Sequence, residues 1–258
     1  MKLFNSTGKI VLVVEYNGGN YCGFQWQANG PTIQAELEQA IQRLTGEESR
    51  IVAASRTDAG VHANGQVVSF RTKSVLSPQT ILRALNYYLP KDIAVKSARK
   101  IDADFDVRRR AVSREYDYHI WNGPTRSPLL EGIACFVPKK LNVRAMNGAS
   151  KLLLGEHDLA SFATALGNLK STVRYVYEAK LVRRDDLVNF HVIANSFLPH
   201  QVRNTVGLLI RVGLGKVQLE DFRQILEAKK IGSAGPTAPA CGLCLTRVNY
   251  PGNMELAI

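Results

Sequence analysis

"AASRTDAGVHANGQVVSF", residues 53–70, sets a charged loop between two apolar flanks, and the fold turns on what those flanks are. "RIVAASR" and "QVVSFRT" read as short β-type runs, so the stretch is a strand, a long loop and a second strand. The loop holds Arg56, Asp58 and His62 among Gly60 and Gly65, with "NG" at 64–65 a turn signal beside the second strand.

On the N-terminal side, "KIVLVVEY" (9–16) is a buried strand closed by the turn "NGGN". "TIQAELEQAIQRLTG" then spaces Ile33, Leu37, Ile41 and Leu44 along one face of a helix that Gly46 can end. On the C-terminal side, Ser77 before Pro78 is a favourable helix start, "PQTILRALNYYL" runs to Pro90, and "IAVKSARKI" closes as a strand. The order is β-α-β-β-α-β, a ferredoxin-like split βαβ unit. The second half repeats it loosely. "REYDYHIW" alternates Tyr116, Tyr118 and Ile120 with polar Glu115, Asp117 and His119; "NVRAMNGASKLLLG" is helical; "STVRYVYEAKLVRR" and "LVNFHVIANSF" pair around "RDD"; "HQVRNTVGLLIRVG" and "LEDFRQILEAKK" are helices; "CGLCLTRVNY" is a last strand. The expected fold is therefore α+β, with two ferredoxin-like (RRM-like) units over 1–105 and 106–258. Their mostly antiparallel sheets are expected to join around a central basic cleft.

Composition narrows the chemistry. The 258 residues are 45 % hydrophobic and 21 % charged, an ordinary globular balance, and no apolar run reaches the length of a membrane span, so a soluble cytoplasmic protein is the expectation. Lys and Arg outnumber Asp and Glu by 33 to 22, a net +11 that suits a polyanionic partner such as nucleic acid and equally suits plain solubility. Cys22, Cys135, Cys241 and Cys244 are too scattered for a disulfide framework. The C-x-x-C at 241–244 lacks two further ligands of suitable spacing, so buried thiols outweigh zinc or redox chemistry.

Three places carry candidate chemistry. Asp58 fits an Asx turn accepting from its own backbone, but a long loop between two buried strands costs ordering entropy, and scaffolded loops are where sites sit. "FDVRRRAVSREYDY" puts four arginines ahead of Tyr116, equipment for holding phosphates and stacking a base, or else a solvated run before a core tyrosine. In "HQVRNTVGLLIRVG" the apolar stripe is Val202, Val206, Leu209 and Ile210, which leaves Arg203, Gly207 and Arg211 on a neighbouring face. Arg203 also lies in the first turn, where the helix dipole disfavours a cation unless a carboxylate or phosphate is near.

In order and spacing, "YNGGNYCGFQWQANGPTIQAELEQAI", "SRTDAGVHANGQVVSF", "RRRAVSREYDYHIW", "SFLPHQVRNTVGLLI" and "APACGLCLTRVNY" resemble the tRNA pseudouridine synthase A (TruA) family over nearly the whole chain. The resemblance implies that Asp58 is the catalytic aspartate, Tyr116 the ring that stacks on the target uracil, Arg203 the partner of the Asp58 carboxylate, and Arg56 the group that takes the place of the flipped base. His62 is a loop-stabilising or RNA-contacting residue. It further implies a homodimer acting on tRNA at positions 38, 39 and 40 of the anticodon arm, without cofactor or metal. Ser55, Pro199, Gln201, Cys241 and Cys244 depart from the family's usual residues and touch none of the three central groups. The competing expectation is a non-catalytic RNA-binding protein of the same fold.

Overall fold

The computed structural model describes residues 8–165 and 170–252. By its internal contacts the chain divides into two units: unit 1 takes residues 8–112 and 245–252 of the described chain, and unit 2 takes Ser113–Cys244. The boundary expected at 105/106 thus falls at 112/113. The reason is local: Phe105 and Val107 are buried, their neighbour Tyr250 donates its hydroxyl to the Val107 carbonyl (2.7 Å), and the Phe105 and Tyr250 rings lie 5.5 Å apart. Those contacts hold 105–112 and the last strand in unit 1.

Unit 1 contains β1 (Gly8–Tyr16), α1 (Ile33–Thr45), β2 (Val52–Ala53), β3 (His62–Thr72), α2 (Pro78–Tyr88) and β4 (Ile93–Ile101). β1 is paired antiparallel on both sides, to β4 and to β3, and β2 pairs antiparallel with β3. Ile10 to Val14 are buried without alternation, as a strand covered on both faces requires. α1 starts where the Thr32 hydroxyl accepts from Ala35 N–H, and it buries Ile33, Leu37, Ala40 and Ile41; Leu44 is only half-buried. α2 starts on Ser77, which accepts from Thr80 N–H, and buries Ile81 and Leu85. The "NG" at 64–65 is not a turn: both residues lie inside β3, where the β1 register shifts between Val14 and Tyr16. Strand pairing on β1 overrides the local turn preference there.

Unit 2 contains β5 (Ser113–Trp121), β6 (Cys135–Phe136), α3 (Val143–Ser150), β7 (Gly155–Asp158), β8 (Val173–Arg184), β9 (Leu187–Ala194), α4 (Gln201–Gly213) and α5 (Leu219–Ala228). Its strands run β5-β9-β8-β7 with antiparallel neighbours, and the two-residue β6 joins β5 in parallel. β6 and β7 are too short to show a period in the sequence. From Arg114 on, β5 alternates strictly: Arg114, Tyr116, Tyr118 and Ile120 are buried, while Glu115, Asp117, His119 and Trp121 are half-buried. β10 (Leu243–Asn249) follows α5, and from Leu245 on it belongs to unit 1, beside β3.

Both units use a primary amide as a substitute strand partner. Asn86 on α2 donates to the Val95 carbonyl (2.8 Å) and accepts from Val95 N–H (2.7 Å). Asn147 on α3 does the same to Leu181, both bonds at 2.8 Å. Each ring satisfies one donor and one acceptor that would otherwise be left unpaired at a helix–sheet contact. The fold is mixed α+β, and no helix among the described residues is long and apolar enough to cross a membrane.

Candidate active site

The Asp58 loop leaves β2 at Ala53 and rejoins the sheet at His62. Ala54 N–H still reaches the Val67 carbonyl (2.8 Å), but at Ser55 the main-chain ladder gives way to a side chain. Gln66, fully buried on β3, accepts from Ser55 N–H (3.3 Å) and donates to the Ser55 carbonyl (2.8 Å). Two residues on, Thr57 is buried, its hydroxyl 2.8 Å from that of Tyr16. Asp58 and Val61 then close a turn through Val61 N–H and the Asp58 carbonyl (3.1 Å); Gly60 at its third position has φ +77°, the conformation a type II turn needs.

A second loop, residues 17–24, lies along this one. Phe24 N–H donates to the Thr57 carbonyl (3.0 Å), Gly60 N–H to the Tyr21 carbonyl (3.3 Å), and Gly18 N–H to Nδ1 of His62 (3.1 Å). The 17–24 loop is itself anchored on Asp92, whose carboxylate accepts from the Tyr21 hydroxyl (2.6 Å) and the Asn20 amide (3.2 Å). Burial, then the hydrogen bond to Asp92 and its charge, push the Tyr21 phenol well up, so it stays the donor. His62 is buried and its Nδ1 is an acceptor, which leaves the proton of the neutral ring on Nε2. Between these clamps Asp58 is half-buried and Arg56 is exposed.

The basic run is fixed from below. Phe105 and Val107 are buried, while Arg108, Arg109 and Arg110 are exposed. Asp106 accepts from the Arg108 and Arg109 amides (2.9 and 3.1 Å). Although burial opposes it, those bonds and the Arg109 charge hold the Asp106 carboxyl below its ordinary range. Partial burial lowers the Arg56 guanidinium, and the nearby Arg108 charge lowers it further, so two cations share one neighbourhood beside the Asp58 loop. Arg114 does not belong to the exposed run. It is buried and donates to the Asn195 carbonyl (2.8 Å), because its place on β5 turns it inward.

In unit 2, Tyr116 is 5 % exposed and packs edge-on to Phe197, ring centres 5.0 Å apart at 83°. Arg203 is half-buried on α4; its Nε donates to the Ala238 carbonyl (2.9 Å), and Ala238 N–H donates back to the Arg203 carbonyl (3.1 Å). The structure corrects the apolar stripe expected on this helix. Ile210 is only half-buried, whereas Gly207 is buried against 236–238, its Cα so near that a Cβ would lie 2.1 Å from the Pro236 carbonyl oxygen. Burial pushes the Cys135 and Cys241 thiols up, the opposite of a reactive thiolate, and no three metal-ligating side chains gather among the described residues. Arg56, Asp58 and His62 thus share one clamped loop of unit 1, and Tyr116 and Arg203 stand on β5 and α4 of unit 2. Gln66, Gly18 and Asp92 escaped sequence reading, since their partners lie 11, 44 and 71 residues away.

A family model described as tRNA pseudouridine synthase matches residues 12–108 and 149–251. The chain belongs to this family of RNA-modifying isomerases. Curated relatives that it matches are named tRNA pseudouridine synthase A. That of Acetivibrio thermocellus is 41 % identical over 241 residues, 93 % of this chain and 99 % of that one. That of Roseiflexus sp. is 45 % identical over 246 residues, covering 94 % and 90 %. A solved archaeal box H/ACA Nop10–Cbf5 complex overlaps 78 % of this chain and 53 % of that one at TM-score 0.34 and 13 % identity, too slight a likeness to bear on the fold.

Proposed function

We propose that this enzyme isomerises uridine to pseudouridine at positions 38, 39 and 40 of the tRNA anticodon arm, with Asp58 as the catalytic carboxylate. Its family membership supplies the reaction, and the observation that carries the residue assignment is the Asp58 loop. Its backbone is bonded on both flanks by buried groups, and Asp58 itself is half-buried.

Uridine and pseudouridine are isomers, so the net reaction consumes neither an oxidant nor ATP. The glycosidic C–N bond must break, the uracil must turn while held, and a C–C bond must form at the same sugar carbon. An ionised carboxylate serves this by attacking the sugar or base, or by taking a sugar proton. In the proposal Tyr116 stacks on the extruded uracil, Arg203 partners the Asp58 carboxylate, and Arg56 fills the place the base leaves. His62 acts through the backbone of the 17–24 loop. Flipping the nucleotide costs a few kcal/mol, which phosphate contacts by the +11 chain offset. The antiparallel order β4-β1-β3 with β2 on β3 supports reading unit 1 as ferredoxin-like, with the aspartate loop between two of its strands. A cytoplasmic homodimer completes the proposal.

The test is tritium release from tRNA labelled at uracil C5, with wild type and Asp58→Asn. Release by wild type and none by the variant is the expected result. Turnover by Asp58→Asn overturns the assignment of the carboxylate, and tight tRNA binding without release by wild type points to the non-catalytic alternative.

A further inference from the structure

We infer that Gln66 is a positioning residue for the reaction: its buried carboxamide fixes the main chain at Ser55 and, through Tyr16 and Thr57, the approach to Asp58. This rests on the reading of Asp58 as the catalytic group. β2 and β3 pair as Val52 with Ser69 and Ala53 with Val68, so continuation of the ladder would bring Ser55 opposite Gln66. The β3 main chain at Gln66 faces Val14 of β1 in that sheet, and the side chain supplies the missing partner. Oε1 accepts from Ser55 N–H at 3.3 Å, and Nε2 donates to the Ser55 carbonyl at 2.8 Å. The second Nε2 proton points to the Tyr16 hydroxyl at 3.4 Å, a longer contact, and that hydroxyl stands 2.8 Å from Thr57 Oγ1.

Gln66 and Tyr16 are 0 % and 2 % exposed, and Thr57 7 %, so water does not compete for these bonds. The chain is therefore held at 55 and at 57, on either side of Arg56 and one residue before Asp58. Asn86 and Asn147 make the same two-bond ring but tie helices to strands; Gln66 ties a strand to the loop that carries the acid. A carboxylate that must meet one sugar or base atom is sensitive to displacements of about 1 Å, which cost on the order of a hundredfold in rate.

The experiment measures single-turnover pseudouridine formation, tRNA Kd and thermal midpoint for wild type, Gln66→Met, Gln66→Glu, Tyr16→Phe, Asn147→Leu and Asp58→Asn. Gln66→Met keeps the volume and removes every bond; its rate should fall about tenfold to a hundredfold with Kd within about threefold of wild type. Tyr16→Phe removes one hydroxyl and should show the same split in smaller measure. In Gln66→Glu the neutral acid can accept from Ser55 N–H and donate to the Ser55 carbonyl, whereas the carboxylate cannot donate, so its rate should recover as pH falls. Asn147→Leu loses an equivalent ring in unit 2 and should lower the thermal midpoint with the rate unchanged. A folded Gln66→Met with wild-type rate, or a Gln66→Glu profile parallel to wild type, overturns the inference while leaving Asp58 in place. Turnover by Asp58→Asn overturns the underlying assignment instead.

Discussion

Gly18 donates its amide proton to Nδ1 of His62 at 3.1 Å, and a side chain on Gly18 would put its Cβ 2.0 Å from the Val61 carbonyl oxygen. The 17–24 loop and the Asp58 loop touch main chain to main chain at this point. Gly18→Ala must therefore separate them, at a cost of about 1–3 kcal/mol for the overpacked contact. The expected outcome is a thermal midpoint several degrees lower and slower pseudouridine formation; differential scanning calorimetry and the single-turnover assay read the two together. An alanine variant as stable and as fast as wild type would show that the contact is not required.

Gly207→Ala tests the corresponding contact in unit 2. With Pro236 O only 2.1 Å from the added Cβ, 236–238 must move off α4, and the paired bonds between Arg203 and Ala238 move with it. A loss of about 1–3 kcal/mol in denaturant unfolding is expected. Gly148→Ala, on α3 with nothing near its Cβ, should be neutral or slightly stabilising.

The Asp117–His191 pair sets a pH dependence. Its Oδ1 and Nδ1 lie 2.7 Å apart on neighbouring strands. The bond from Asp117 raises the His191 pKa despite the opposing effect of burial, and in Asp117 the bonds from His191 and Asn189 outweigh burial and lower the carboxyl. A raised histidine stabilises fully below its ordinary 6.5 and loses that contribution as pH rises through the folded value. A lowered aspartate stabilises above its ordinary 3.8 and loses it as pH falls through its folded value. The wild-type advantage over Asp117→Asn in thermal midpoint should therefore be largest between pH 3.8 and 6.5 and shrink toward alkaline pH. An advantage that stays level from acid to alkali would contradict this.

Arg108, Arg109 and Arg110 project from a turn whose base is buried. If they meet phosphates, replacing each with Gln should reduce the slope of log Kd for tRNA against log salt by about 0.7 to 0.9 for every phosphate that goes unneutralised. A triple variant with the wild-type slope would remove the run from the RNA interface.

Tyr116 offers a comparison of ring against hydroxyl. Tyr116→Phe keeps the ring face proposed to stack on the uracil and the edge contact with Phe197, whereas Tyr116→Leu loses both. Base stacking of about 1–3 kcal/mol places the leucine variant roughly tenfold to a hundredfold below the phenylalanine variant in single-turnover rate. Equal rates would argue that Tyr116 serves only the core.

Legibility differed with the range of the interaction. The long strands and helices could be read because their apolar spacing is a local property: "KIVLVVEY" is β1 and "PQTILRALNYYL" is α2, down to its Ser77 cap. The "NG" at 64–65 misled for the same reason, since a local turn preference lost to pairing with β1, a strand far back in the chain. β6 and β7 left no signal at two and four residues.

By itself, then, the sequence determined the α+β order, the charged loop around Asp58 and the family to which these motifs belong, all written in short runs of adjacent residues. Only the tertiary structure decided what holds that loop. Gln66 on Ser55 and His62 under Gly18 bridge 11 and 44 residues of chain. Whether a polar side chain finds a partner depends on which distant backbone group the packing brings within about 3 Å, and no local pattern records that distance.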